Sequence, residues 1–370
     1  MKTIGENLTA SELYEVLDFL ISPHMSAAQE IERPTPICVW GTHGLGKTSI
    51  VLEFAKRNGW PLVYVAPAQF EEMGDLHGLP IKVDSSTDKA AHTAYLPPQW
   101  VPIADGPGIV VLDDINRADD RILRGLMQLL QNYEMFSWTL PSKWQIICTA
   151  NPDDGEYSVT TMDDAMLTRM LHVTLKLDIK AWASWAYKNS VDPRGIDFAL
   201  IYPELLQGTR TTPRTFVQFL AHLAKIDDLK ANIHRVTVLA RATLDDATTR
   251  AFLTYINEGL EHLVPAEEIL ETENFTEIQI RIETAAKGKS GTLRLDRLQA
   301  ICSRLTMAIS TIKYETPSPL NCENIVKFLL LESIPADLRY SVHREISSME
   351  GERSRLIQDP SLAKSVLRMI

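Results

Sequence analysis

A chain of 370 residues is too long for one ordinary domain and long enough for two or three. Hydrophobic residues at 45% and charged residues at 23% make a soluble globular mixture and exclude a disordered chain. The 48 acidic residues outnumber the 37 basic ones, and the formal charge of −11 counts against nucleic acid as the main partner, because proteins that grip phosphate backbones usually carry a basic excess. Cys38, Cys148, Cys302 and Cys322 form no C-x-x-C pair and have no His at ligand spacing, so they read as small core residues in a reducing compartment. Residues 1–10 are polar, with no secretory core, and no apolar run approaches the ~20 residues of a membrane span. A cytoplasmic location and no membrane partner are therefore expected.

Residues 11–21 place Leu13, Val16, Leu17 and Leu20 at helical spacing. After Pro34 and Pro36 the apolar run Ile37-Cys38-Val39-Trp40 predicts a buried strand, followed by a glycine loop over 41–46 and a helix over 47–56. Further strands are predicted at 62–65, 109–112, 146–150 and 171–175, with helical spacing at 122–130 and a short helix at 163–168. Strands alternating with helices over this stretch imply parallel βαβ units, hence an α/β fold whose doubly wound sheet is covered on both faces. Beyond residue 178 strand signals stop, and helices are expected at 181–187, 214–225 and 233–260. The polar stretch 287–291 reads as a boundary before a helical tail interrupted at Pro317, Pro319 and Pro335. The expected organisation is a nucleotide-binding α/β domain over 1–178, a helical domain over 179–288 and a helical C-terminal region over 289–370.

Gly41-Thr42-His43-Gly44-Leu45-Gly46-Lys47-Thr48 fits G-x-x-x-x-G-K-[ST]. Its glycines let backbone N–H groups wrap around phosphates, and the following helix presents its N-terminus to the negative charge. Lys47 would neutralise the β- and γ-phosphates and the Thr48 hydroxyl would ligate Mg²⁺. A chance glycine turn would lack the strand before and the helix after. Asp113 and Asp114 end the apolar run 109–112, about 65 residues after that loop. There Asp113 could hold the magnesium shell and Asp114 could orient or deprotonate the attacking water; the bland alternative is an acidic surface turn. Asn151, ending the strand at 146–150 before Pro152, is by spacing either a turn residue or a polar group between γ-phosphate and water. Arg169, after the short helix, and Arg214, after Pro213, are each either surface arginines or contacts to transition-state charge. His43, His77 and His92 form no catalytic or metal pattern, Trp138 and Trp144 read as packing residues, and the acidic run 267–273 as a solvated helix face.

In this order the segments resemble the MoxR branch of the AAA+ superfamily over residues 30–225. PICVWGTHGLGKTS, which ends on Ser49, resembles its Walker A segment. EEMGDLHGLP and AYLPPQW resemble the region where that clade inserts a hairpin into its second helix. GPGIVVLDDINRADD resembles Walker B with its Asn-Arg-Ala tail, IICTANPDD sensor 1, MDDAMLTRM the arginine-finger helix and TTPRTF sensor 2. The resemblance implies ATP and Mg²⁺ as ligands, Asn151 as sensor 1, Arg169 as a finger reaching a neighbour's site, and Arg214 as sensor 2 in a helical lid. It also implies a homo-oligomeric ring, usually a hexamer, acting on a protein client and often partnered by a von Willebrand factor A domain protein. The family carries Glu where this chain has Asp114, whose carboxylate is withdrawn by one methylene, and misplacement on an ångström scale can cost ~10²-fold in rate. Three functions follow as expectations: a remodelling ATPase, a slow or non-hydrolysing ATP-dependent switch, and, third because of the acidic charge, a nucleic-acid motor.

Overall fold

The computed structural model describes residues 4–27, 33–83, 91–153, 159–257, 263–287, 293–310, 312–349, 351–358 and 362. It divides into two compact units, 1–178 and 179–370.

The first unit is built on a six-stranded, all-parallel sheet. In chain order its elements are β1 (Glu6–Leu8), α1 (Ala10–Ser26), β2 (Ile37–Trp40), α2 (Lys47–Arg57), β3 (Leu62–Val65) and α3 (Met73–His77). The hairpin β4 (Leu79–Val83) and β5 (His92–Leu96) follows, then β6 (Gly108–Leu112), α4 (Asp120–Asn132), the small hairpin β7 (Glu134–Met135) and β8 (Trp138–Thr139), β9 (Trp144–Ala150), α5 (Asp164–Leu167) and β10 (Leu171–Leu175). Across the sheet the order is β1-β10-β2-β9-β6-β3. Because side chains alternate along a strand, each central strand feeds two cores. Cys38, Trp40, Val110, Leu112, Ile146 and Cys148 pack with Leu76 of α3, Leu126 of α4 and Met166 of α5. Ile37, Val39, Ile109, Val111 and Ile147 pack with Leu13 and Leu17 of α1 and Val51 and Phe54 of α2. Helices thus cover both faces, as the βαβ pattern implies, and Cys38 and Cys148 are buried with their thiols pushed up by desolvation.

Three features depart from the sequence expectation. β1 adds a strand that the polar sequence of residues 1–10 does not announce; it pairs with β10, and Thr174 Oγ1 donates to the Ile4 carbonyl at 2.8 Å. The helix expected over 233–260 is two, α9 (Ile233–Thr243) and α10 (Asp246–Asn257); its last residues, 258–260, lie outside the described ones. Asp245 breaks it, because its carboxylate accepts the Arg210 and Thr211 amides at 3.2 and 2.8 Å while its own amide donates to Thr211 Oγ1 at 2.8 Å. The acidic run 267–273 is exposed at Glu268, Glu271 and Glu273, as a solvated face would be, but it is also engaged: Glu267 accepts from Tyr187, Glu268 pairs with Arg281, and Glu271 pairs with Lys313 and accepts from Tyr314.

The second unit is helical throughout its described residues, with α6 (Ile179–Lys188), α7 (Pro193–Ile201), α8 (Pro213–Leu223), α9, α10, α11 (Ala266–Glu271), α12 (Phe275–Ala286), α13 (Leu295–Ile309), α14 (Pro319–Leu329) and α15 (Ala336–Ser347). The sequence divides this half at residue 288, but 179–370 is one compact unit. Its centre is α13, buried along nearly its whole length and packed on α6, α7, α11, α12 and α15. There Arg304 donates to Asp197 of α7 at 2.9 Å, both side chains being almost fully buried. Burial pushes the Asp197 carboxyl up to about 7, against the downward pull of Arg304.

Candidate functional site

The P-loop joins β2 to α2 at the C-terminal edge of the sheet, where ligands of open parallel sheets sit. Gly44 and Gly46 take φ of 75° and 93°, which L side chains resist, so the loop curls over the first turn of α2. Lys47 turns back into that curl: its Nζ donates to Gly41 O at 2.8 Å, Thr42 O at 3.1 Å and Asn151 Oδ1 at 3.1 Å. An ammonium 6% exposed would be costly without such partners, and a triphosphate offers stronger acceptors in the same place. His43 and Leu45 are half-buried in the loop, and Ser49 lies exposed on the first turn of α2.

Thr48 Oγ1 donates to Asp113 Oδ1 at 2.5 Å, bringing the first turn of α2 to the end of β6. The Thr149 hydroxyl, buried in β9, donates to the same oxygen at 2.8 Å, and the Tyr64 hydroxyl on β3 donates to Oδ2 at 2.8 Å. A hydroxyl and a carboxylate facing an anion cradle are hard oxygen donors, the set by which Mg²⁺ is held jointly by protein and phosphates. These residues therefore fit that ion. Among the described residues no cluster of His, Cys, Asp and Glu forms an all-protein metal cage.

Asp114 adopts φ 48° and ψ 47°, a left-handed conformation that Asp tolerates better than most residues. Its amide donates to Thr149 Oγ1 at 2.8 Å, and its carbonyl accepts the Arg117 amide at 2.8 Å. The carboxylate is held at both oxygens, by Asn151 Nδ2 at 2.9 Å and Arg117 Nε at 3.1 Å. Asn151 is 1% exposed and clamped by a reciprocal pair: its amide donates to Asn116 Oδ1 at 3.1 Å and its carbonyl accepts from Asn116 Nδ2 at 2.8 Å. Lys47, Asn151, Asp114 and Arg117 thus form one continuous chain of polar contacts.

The structure brings Lys47, Thr48, Asp113, Asp114 and Asn151 together and leaves Arg169 at the other edge of the sheet. Arg169 precedes β10, at the N-terminal edge of the sheet, where the Leu171 amide meets Pro36 O. Leu175, at the other end of that strand, is the residue beside Gly41. About 13 Å of strand therefore separates the arginine's end from the P-loop. Its Nε donates to Gln131 at 2.9 Å, and its guanidinium also caps the Ala165 carbonyl of α5. Arg214 lies in the second unit, exposed in the first turn of α8, which is capped by Thr212. Sequence reasoning missed Tyr64, Asn116 and Thr149. A threonine two residues before Asn151, in the apolar run 146–150, was a signal for Thr149, and the Asn-Arg-Ala tail marked the segment that holds Asn116.

Residues 36–170, from the P-loop strand through Arg169, match the family model of the AAA domain (dynein-related subfamily). No curated protein matches the chain. It is similar to a mutant of Thermotoga maritima RuvB, at 14% identity over 78% of this chain and 87% of that one, with a TM-score of 0.41. The Thermotoga maritima RuvB Holliday junction branch migration motor aligns at 14% identity over 78% and 87%, with a TM-score of 0.39. Hsp104 in a closed state with ATPγS and FITC casein aligns at 13% identity over 62% of this chain and 46% of that one, with a TM-score of 0.41. None of these likenesses is close enough to bear on substrate or partner.

Proposed function

We propose that this chain is a Mg·ATP-dependent ATPase of the MoxR-like kind, working as a homo-oligomeric ring, a hexamer by family resemblance, that remodels or activates a protein client. The observation that carries the reading is the convergence of Lys47, Thr48, Asp113, Asp114 and Asn151, from the start of α2 and the ends of β6 and β9, onto the cradle of Gly41–Gly46. Lys47 would exchange its loop carbonyls for phosphate oxygens, Thr48 and Asp113 would hold the metal, and Asp114 with Asn151 would orient the attacking water. Bound magnesium would supply charge neutralisation on the β- and γ-phosphates. Arg169 lies too far along β10 to serve its own P-loop, which favours a finger offered to a neighbour and hence a ring. Residues 179–288 would be the lid, with Arg214 as its phosphate sensor; the von Willebrand factor A partner belongs to the proposal on family resemblance alone. Among the described residues no helix is long and apolar enough to cross a membrane.

Mixing two inactive variants tests this reading. Lys47→Ala loses the P-loop cation but keeps the finger, and Arg169→Ala does the reverse. Each alone should turn over no ATP, and their mixture should regain turnover, because some interfaces then pair an intact P-loop with an intact finger. Mixtures as dead as their parents, or full turnover in the Arg169 variant, would refute a shared site. A second reading, a slow ATP-dependent switch, is favoured by one observation: both oxygens of Asp114 are already engaged, by Asn151 and Arg117.

A further inference from the structure

Tyr64 stands on β3, the edge strand of the sheet, half exposed, yet its hydroxyl reaches the Asp113 carboxylate. Carboxylate oxygens offer about two lone-pair directions each. Oδ1 is filled by Thr48 at 2.5 Å and Thr149 at 2.8 Å, so Oδ2 alone has capacity for a hydrated metal, and Tyr64 holds half of it. The phenol is not needed to aim the carboxylate. Thr149, fully buried in β9, and Thr48, fixed at the start of α2, already do so from two directions.

We propose that the Tyr64 hydroxyl is a removable stand-in for a magnesium-bound water: it caps Asp113 whenever no metal is bound, draws charge from the outward oxygen, and must yield when the metal arrives with nucleotide. The inference rests on the nucleotide reading above. It makes Tyr64 a positioning residue that sets the magnesium requirement of the site without touching the nucleotide. A donor on a carboxylate competes with any metal-bound water for the same lone pairs and lowers the charge available to the cation. Loss of that donor should therefore tighten magnesium-dependent binding and leave magnesium-free binding alone.

The test is Tyr64→Phe, with binding of a fluorescent ADP titrated against magnesium and repeated in EDTA. The variant should reach half-saturation at about fivefold less magnesium, the equivalent of one hydrogen bond of ~1 kcal/mol, with unchanged affinity in EDTA. In the wild type, Mg·ADP should also produce a tyrosine ultraviolet difference signal that the variant lacks. An unchanged or raised magnesium requirement, or an equal shift in both arms, would overturn the inference while wild-type binding upholds the nucleotide reading. A wild type that binds no nucleotide in either arm would overturn both.

Discussion

Thr149 is the residue whose replacement most sharply separates hydrogen bonding from packing at this site. It is fully buried, donates to Asp113 at 2.8 Å and accepts the Asp114 amide at 2.8 Å. Valine matches its volume, so Thr149→Val opens no cavity and changes only the hydroxyl. The Asp114 amide then loses its acceptor, at a cost of ~1–3 kcal/mol, and the bond to the partly exposed Asp113 adds at most ~1 kcal/mol. Thr149→Ser keeps both bonds and gives up one buried methyl, about 0.8 kcal/mol. At ~2–4 °C per kcal/mol for a unit of this size, the valine variant should melt roughly 2–16 °C below wild type and the serine variant by only ~2–3 °C. Calorimetry of the full chain reads this, taking the transition that ADP raises as that of residues 1–178. Turnover should fall ~10²-fold in the valine variant, since the Asp114 turn loses the contact that fixes it. The reasoning fails if valine melts level with wild type, or if serine costs as much as valine.

Two further outcomes follow from the same geometry. Asp114→Glu should leave turnover equal or lower: the longer acid overshoots Asn151 and Arg117 and tolerates φ 48° less well, and a rise of several-fold would show that reach is limiting after all. In the second unit burial holds Asp197 near 7, above its unfolded value, so the stability tied to its protonated form is full below pH ~4 and lost as pH rises toward 7; urea midpoints should fall over that window and flatten in Asp197→Asn.

The candidate site was legible where it depends on local spacing. Gly41–Thr48 and the Asp113-Asp114 pair are written as continuous segments flanked by a strand, and they meet in space as that context implies. The rest was set by register. Tyr64 reaches Asp113 because β3 pairs with β6 so that Tyr64 lies opposite Val111, and nothing within residues 62–65 carries that pairing. Thr149 and Asn116 act through strand ends and a turn brought together by folding. β1 escaped because three residues forming a strand only against β10 have too little pattern to count. The break at Asp245 escaped for a related reason: no Gly or Pro marks it, and its cause lies some 34 residues earlier, at Thr211.

The burial of α13 has a consequence for how this molecule can be altered over evolutionary time. The helix follows α6 through α12 in sequence yet forms the surface on which several of them rest. A tail grafted from a relative would have to reproduce the Arg304 contact with Asp197 and every apolar knob between Leu298 and Ile309. Residues 179–370 should therefore accept exchange of their helices only as a whole, since a change in any element resting on α13 is felt by the others.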